Sequence, residues 1–336
     1  MSYILVTGGL GFIGSHTIVE LLQENYKIII IDNLVNSSLD VLQKIQDITN
    51  NRDILFFNID IRDSLKLENL FTAYKIGLVI HFAALKAVSE SIKEPLKYYD
   101  YNISGTINLL SIMKRNDCKK IIFSSSATVY GDNVYPVNEE SYIGVGITNP
   151  YGRTKYMIEQ ILQDLYISNN DWSITILRYF NPIGTHPSGL LGENPNDIPN
   201  NLFPYLLKVS TGKLPALNIF GKDYDTKDGT CIRDFIHVVD LARGHVKATE
   251  KIFNLDRKIN IYNLGTGKGT SVKELIDTFE KVNNVKLVYN FVERRKGDLP
   301  CVYTKTDKSL KELGWSCIYN IEDMCSHGYN YIKNNF

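Results

Sequence analysis

Net charge, cysteine frameworks and long apolar runs are what this sequence has little of, and each shortage removes a class of function. Its 336 residues carry 37 Lys and Arg against 37 Asp and Glu, a formal charge of zero, with no long basic run. A nucleic-acid or anionic-membrane partner is therefore not indicated. The five cysteines, Cys118, Cys231, Cys301, Cys317 and Cys325, are odd in number and contain no Cys-x-x-Cys pair. Neither a disulfide framework nor a metal site is expected, and a reducing cytosol suits such a chain. No apolar run approaches the roughly 20 residues that span a bilayer. The first residues read as a strand, not as a signal peptide. No repeat or low-complexity segment is found. The expectation is a soluble, cytoplasmic protein of one large or two interleaved domains.

What is present begins at Tyr3-Ile4-Leu5-Val6, a short apolar run of the kind buried on both faces of a sheet. It leads directly into Thr7-Gly8-Gly9-Leu10-Gly11-Phe12-Ile13-Gly14, an amphipathic stretch to Glu24, and a second apolar run, Ile28 to Ile31, ending in Asp32. Strand, glycine turn, helix, strand and acid follow one another as a dinucleotide site requires. The turn lets backbone approach a pyrophosphate, and the helix N-terminus offers it free N–H groups. Asp32, roughly 18 residues past Gly14, is placed to accept from both adenosine ribose hydroxyls and to repel a 2′-phosphate. That favours NAD over NADP.

Further apolar runs at Ile54–Phe57, Leu78–Phe82, Ile121–Phe123 and Ile174–Leu177 alternate with helical stretches. The alternation predicts a Rossmann-type, doubly wound parallel sheet, an α/β class. Ligands collect at the carboxyl ends of such strands. There the sequence places Asp60-Ile61, His81-Phe82-Ala83-Ala84 and Ser124-Ser125-Ser126. Ala83 and Ala84 suit either a cofactor lying against the strand end or ordinary close packing. The serines suit either a substrate hydroxyl or loop backbone.

Tyr151 and Lys155 follow Pro150, a common first residue of helices, at a spacing that puts phenol and ammonium on one face. A free phenol has a pKa of about 10. An ammonium about 5 Å away, at an effective dielectric near 20, favours the phenolate by roughly 3 kcal/mol, or about two pKa units. A phenol so lowered, with a second cation such as an oxidised nicotinamide nearby, serves as a general base for a hydroxyl proton. Among 21 tyrosines, the same spacing also suits a plain amphipathic helix surface.

Past residue 180 the texture changes. Asn181-Pro182, Gly184, Pro187, Gly189, Gly192 and Pro195 form a breaker-rich stretch. Asn200-Asn201, Arg233 and Arg294-Arg295-Lys296-Gly297-Asp298 lie beyond it. Adjacent arginines suit a solvated face, or clamps for a diphosphate. Phe235–Asp240 and Ile261–Gly265 read as strands returning to the first domain. The expected division is 1–180, with return segments near 235–265, for dinucleotide binding. Residues 181–336 then form a smaller, interleaved C-terminal α/β substrate domain.

Over nearly its whole length the chain resembles the extended short-chain dehydrogenase/reductase family, and within it the UDP-glucose 4-epimerases. The glycine turn, Asp32-Asn33, His81-Phe82-Ala83-Ala84-Leu85-Lys86, Ser124 to Gly131 and Tyr151 to Lys155 carry the likeness. Arg178 to Pro182, Ile198 to Leu202, Val238 to Ala242, Tyr262 to Gly265 and Arg295-x-Gly-Asp298 extend it. The resemblance implies NAD-dependent inversion of C4 of a UDP-hexose, UDP-galactose to UDP-glucose, through a transient 4-keto sugar. Tyr151 is implied as the base, Ser126 as its hydrogen-bonding partner, and Lys155 as the cation that tunes Tyr151 and holds the nicotinamide ribose.

By the same likeness tightly bound, recycled NAD meets Gly8, Gly11, Phe12, Ile13, Gly14, Asp32, Asn33, Asp60, Ile61, Phe82, Ala83, Ala84, Lys86, Ser124, Tyr151, Lys155 and Phe180. The UDP-sugar meets Ser126, Tyr151, Asn181, Asn201, Leu202, Phe220, Arg233, Arg295, Asp298 and Val302. A homodimer is implied as well. Two positions depart from the family pattern. Tyr101 replaces a cofactor-touching asparagine. Val302 stands where some members carry tyrosine and those accepting N-acetylated sugars carry a small residue, which points to UDP-GalNAc and UDP-GlcNAc as further substrates. A 4,6-dehydratase needs an acidic pair after Ser126, where this chain has Ala127 and Thr128. A non-catalytic NAD sensor would not need Tyr151 and Lys155.

Overall fold

The computed structural model describes residues 2–194, 199, 201–254, 258–295 and 297–335. Pro195, Ile198, Asn200 and Lys296 lie outside the described residues. The chain forms two compact units: the first runs to Gly131 and adds Tyr142–Arg178 and Ala242–Tyr262, and the second holds Asp132–Ser141, Tyr179–Leu241 and the chain from Asn263.

The elements run β1 (Tyr3–Thr7), α1 (Phe12–Gln23), β2 (Ile28–Asp32), α2 (Asp40–Thr49), β3 (Leu55–Asn58), α3 (Ser64–Ala73) and β4 (Ile76–His81). Then come α4 (Val88–Lys93), α5 (Pro95–Tyr98), a π-helical turn (Tyr99–Ser104), α6 (Gly105–Arg115), β5 (Lys120–Ser126), a 3₁₀ turn (Ala127–Tyr130), α7 (Pro150–Ser168) and β6 (Ser173–Tyr179). The chain continues with β7 (Asn181–Ile183), α8 (Leu202–Ser210), β8 (Leu217–Phe220), β9 (Ile232–Arg233), β10 (Phe235–His237), α9 (Val238–Asn254), β11 (Ile259–Leu264) and β12 (Thr270–Ser271). It ends with α10 (Val272–Asn283), β13 (Tyr289–Val292), β14 (Cys301–Val302), α11 (Asp307–Leu313) and α12 (Ile321–Asn335).

In the first unit the seven-stranded sheet has the order β11-β6-β5-β4-β1-β2-β3. Its β1–β2, β1–β4, β2–β3 and β4–β5 pairs are parallel. This is a Rossmann-type sheet, and the strand order reverses at β1, so a crevice opens between the carboxyl ends of β1 and β4. Leu5, Ile29, Val79, Ile121 and Ile174 belong to one buried cluster, which is why these strands read as unbroken apolar runs. β3 is an edge strand and only half-buried.

The second unit contains the parallel pairs β10–β7 and β13–β8 and a small sheet ordered β12-β9-β14. Phe203, Leu206, Ile219, Phe235, Leu275 and Phe279 share its core. Ser271 begins α10 with a reciprocal capping box to Glu274. The strand expected across Phe235–Asp240 stops at His237, and Val238–Asp240 open α9 instead. The His237 ring accepts from Val239 N–H at 3.0 Å, and the Asp240 carboxylate accepts from Ile318 and Tyr319 N–H. Side chains thus supply partners that end the strand. β10 pairs with β7 of its own unit, and the chain re-enters the first unit at Ala242. Among the described residues no helix is long and apolar enough to cross a membrane.

Candidate active site

At the end of β1, Gly8 has φ +66°, and a Cβ on it would lie 2.7 Å from Ala83 N. Any side chain there would collide with the backbone after β4. A Cβ on Gly14 would lie 2.5 Å from Gly8 O and 2.9 Å from Gly9 Cα. Helix α1 therefore sits directly on the turn, and Gly11 caps it without a side-chain hydrogen bond. The N–H groups of the first turn, at Phe12, Ile13 and Gly14, are left for an acceptor from outside. A dinucleotide pyrophosphate fits this cradle.

The Asp32 carboxylate accepts from Leu10 N–H at 3.1 Å through one oxygen, and from Leu34 N–H at 3.0 Å and Ser37 Oγ at 2.7 Å through the other. A carboxylate has about four acceptor sites. One remains for a ribose hydroxyl, and the second hydroxyl requires Ser37 to turn aside. Asn33 donates to Asp60 at 2.9 Å. Arg62 grips the same carboxylate through Nε and Nη2, at 3.0 and 2.8 Å, and these hydrogen bonds hold the Asp60 pKa down to about 2. The Arg62 guanidinium also stacks 3.5 Å over the Tyr101 ring, so the tyrosine supports the Asp60 anchor. Ile61 is buried in the first unit's core.

Sequence reading missed a buried polar chain behind Phe82, Ala83 and Ala84. The Thr106 hydroxyl donates to Asn102 O, so His81 Nε2 donates to Thr106 and His81 Nδ1 accepts from Thr7, whose oxygen accepts from Ala83 N–H. Burial pushes the His81 pKa down to about 3, with the Lys155 charge adding to it. His81 is thus a fixed neutral strut. Asn102, fully buried, holds Leu85 by both its N–H and its C=O. The exposed Lys86 carries its ammonium 5.9 Å from the Phe12 ring, beside the start of α1.

Helix α7 begins where Asn149 accepts from Gly152 N–H at 2.8 Å, with Pro150 in the first position. Its first turn and the end of β5 bring the expected trio together. Ser126 lies beside the Tyr151 phenol and lowers its pKa, while burial raises it more. Lys155, 3% exposed, donates to Ser124 O at 2.6 Å, and its Nζ lies 5.9 Å from the Tyr151 ring centre. Burial dominates at the phenol, and burial also pushes the Lys155 pKa down to about 7, so near neutrality the ammonium is only part-charged.

In the second unit Arg295 donates through Nε and Nη2 to Asp298 at 3.1 and 2.9 Å, and its guanidinium lies 5.3 Å from the Phe220 ring. Arg233 approaches the same carboxylate at 3.9 Å and is fixed by donating to the Ile232 and Leu299 carbonyls. Two guanidiniums share one carboxylate, which leaves a net positive centre beside an aromatic face. Val302 pairs with Arg233 across β14 and β9. The neighbouring Arg294 goes elsewhere, to Asp223 and the Tyr224 ring. Asn201 and Leu202 stand at the start of α8, where Asn201 donates to Glu193 at 3.2 Å. Asn181 opens β7 and Phe180 is buried just before it. Among the described residues no group of three or more His, Cys, Asp or Glu could hold a metal ion.

Comparison with known proteins places these features in context. A family model described as the NAD dependent epimerase/dehydratase family matches residues 4–265. The UDP-glucose 4-epimerase of Bacillus subtilis is 50% identical over 333 residues, covering 99% of this chain and 97% of that protein. The crystal structure of the Bifidobacterium longum UDP-glucose 4-epimerase, in complex with NAD+ and UDP, has a TM-score of 0.96 at 47% identity and covers 99% of each chain. That of the Stenotrophomonas maltophila enzyme, with NAD and a formylated UDP-arabinopyranose, also has a TM-score of 0.96, at 44% identity, covering 99% of this chain and 98% of the other.

Proposed function

This chain belongs to the NAD-dependent epimerase/dehydratase family and to its UDP-glucose 4-epimerases, and from that premise we propose that it interconverts UDP-galactose and UDP-glucose through a transient 4-keto sugar. The observation that carries the reading is the Ser126 hydroxyl on the Tyr151 phenol, with the Lys155 ammonium one helical turn along. The C4 hydrogen of a hexose is not acidic, so deprotonation alone does not invert that centre.

Bound NAD supplies a reversible hydride acceptor for C4 and a positive ring charge near the phenol. Tyr151 takes the 4-hydroxyl proton and later gives it back. Ser126 hydrogen-bonds the same oxygen. Lys155 favours the phenolate and holds the nicotinamide ribose. Gly8, Gly11, Phe12, Ile13 and Gly14 receive the pyrophosphate, and Asp32 receives the adenosine ribose. Asn33, Asp60, Ile61, Phe82, Ala83, Ala84, Lys86, Ser124 and Phe180 complete the NAD contacts. Arg233 and Arg295 hold the diphosphate, with Asp298, Phe220, Asn181, Asn201 and Leu202 around the nucleotide and sugar. The first unit thus carries most of the NAD contacts, and the second unit most of those to the UDP-sugar.

The short side chain of Val302 leaves room for an N-acetyl group, so UDP-GalNAc and UDP-GlcNAc are also substrates. The protein is cytoplasmic and works as a homodimer. Val88 and Ile92, four apart on α4, with Leu96 on α5 and Met157 on α7, are exposed apolar residues that support the homodimer.

The test is to mix purified protein with UDP-galactose, without added NAD, and to follow UDP-glucose by chromatography. Conversion is expected, because the cofactor is retained and recycled. Silence with and without added NAD sinks the reading, and Tyr151→Phe separates catalysis from NAD sensing by losing most of the rate.

A further inference from the structure

Behind the trio lies a fully buried ion pair. Glu159, with no exposed surface, accepts from Arg178 Nε at 3.1 Å and Nη2 at 2.8 Å. It also accepts from Ser125 Oγ at 2.5 Å. Arg178, 2% exposed, gives its remaining edge to the Tyr130 hydroxyl at 3.0 Å. Removing two charges from water is costly, and such pairs are often no better for stability than apolar packing. Its place is informative. Glu159 follows Lys155 by four residues on α7, so both project from one face. Ser125 lies between Ser124, whose carbonyl accepts a hydrogen bond from Lys155, and Ser126, which meets Tyr151.

We propose that Glu159, locked by Arg178 and Ser125, is a positioning residue of the epimerase reaction: it keeps Lys155 charged and fixes the Ser124–Ser126 strand end against Tyr151. This rests on the epimerase reading. Among the described residues, the groups facing Lys155 leave Glu159 as its sole negative neighbour. On α7 these are the neutral Tyr151 phenol and the Glu159 carboxylate. On β5 they are the Ser124 carbonyl and the Phe123 ring, 4.9 Å away. On β4 His81 is neutral, and on β6 Arg178 is turned onto Glu159 and Tyr130. The Tyr98 hydroxyl of α5 is shared between Ala87 O and the Glu90 carboxylate, both at 2.8 Å. Burial drives the lysine toward its neutral form, and Glu159 is the group that opposes this. A neutral lysine does nothing to lower the phenol.

The experiment measures kcat and KM for UDP-galactose from pH 6 to 10 in wild type, Glu159→Gln and Glu159→Asp. Wild-type turnover is the control for the epimerase reading itself. In Glu159→Gln the alkaline limb of kcat moves to lower pH by about one unit or more, with at least a ~10-fold loss at pH 8.5 and KM within about twofold. Glu159→Asp, which keeps the charge, restores the limb. Glu159→Gln leaves the Arg178 cation buried without its carboxylate. Where that variant does not fold, the pair Glu159→Gln with Arg178→Met removes both charges together and shows a shift of the same sign. With wild type active, a rate that is unchanged, or lowered by one factor at every pH, overturns the proposal, because a structural role alone changes only the amount of folded enzyme.

Discussion

Replacing Gly14 by alanine tests how tightly α1 must sit on the glycine turn. The new Cβ would lie 2.5 Å from Gly8 O, 2.9 Å from Gly9 Cα and 3.2 Å from Gly9 C. All three are backbone atoms, so no side chain can swing away. Ordinary contact begins near 3.4 Å, and the shortfall is 3.4 − 2.5 = 0.9 Å. The helix start has to move by most of that distance. Overpacking of this kind costs about 1–3 kcal/mol. Alanine returns about 1 kcal/mol in helix propensity. The net loss of stability is then about 0–2 kcal/mol, and the fold survives. The NAD site suffers more, because the first-turn N–H groups move off the pyrophosphate. A loss of about 1.4 kcal/mol there weakens retention tenfold. NAD released by acid from desalted protein, per subunit, reads this directly beside a thermal melt. Full NAD content with an unchanged melting temperature would refute the close-approach argument.

Two further outcomes are expected. Lys155→Met should cut kcat by about 10²-fold or more. It also removes a buried cation whose folded pKa, about 7, lies below its ordinary 10.5. Between those values the unfolded chain binds more protons, so stability rises with pH. Wild type should therefore gain on Lys155→Met from pH 7 toward 10, at up to about 1.4 kcal/mol per pH unit, in urea melts. Parallel curves contradict the buried-cation account. Val302→Tyr should abolish turnover of UDP-GalNAc while sparing UDP-galactose, and a wild type that ignores UDP-GalNAc sinks the idea that Val302 makes room.

Strands and glycine turn were legible because their signals are local. Five consecutive buried residues at Ile28–Asp32 produce an apolar run whatever surrounds them, and a steric demand at Gly8 appears as glycine in the sequence. Tyr151, Ser126 and Lys155 were legible as a pattern, but their electrostatics were not. A distance-based argument predicts a lowered phenol, whereas burial, which local spacing does not encode, raises it. Glu159, four residues past Lys155, carries no signal in the sequence, and only its burial beside Lys155 sets it apart. Val238–Asp240 looked like strand because the partners that end it, Ile318 and Tyr319, lie some 80 residues away. The passage of Asp132–Ser141 into the second unit left no local trace either: Val137 bridges to Thr304 there.

The central claim is that C4 is inverted by removing a hydride and returning the same one, with Tyr151 moving only the hydroxyl proton. UDP-galactose carrying deuterium at C4 tests this most directly. The protein is incubated with it in ordinary water, and the UDP-glucose formed is weighed by mass spectrometry. The account predicts that the deuterium is retained at C4 of the product. Its replacement by solvent hydrogen would contradict the account and mean that the centre is inverted by deprotonation instead.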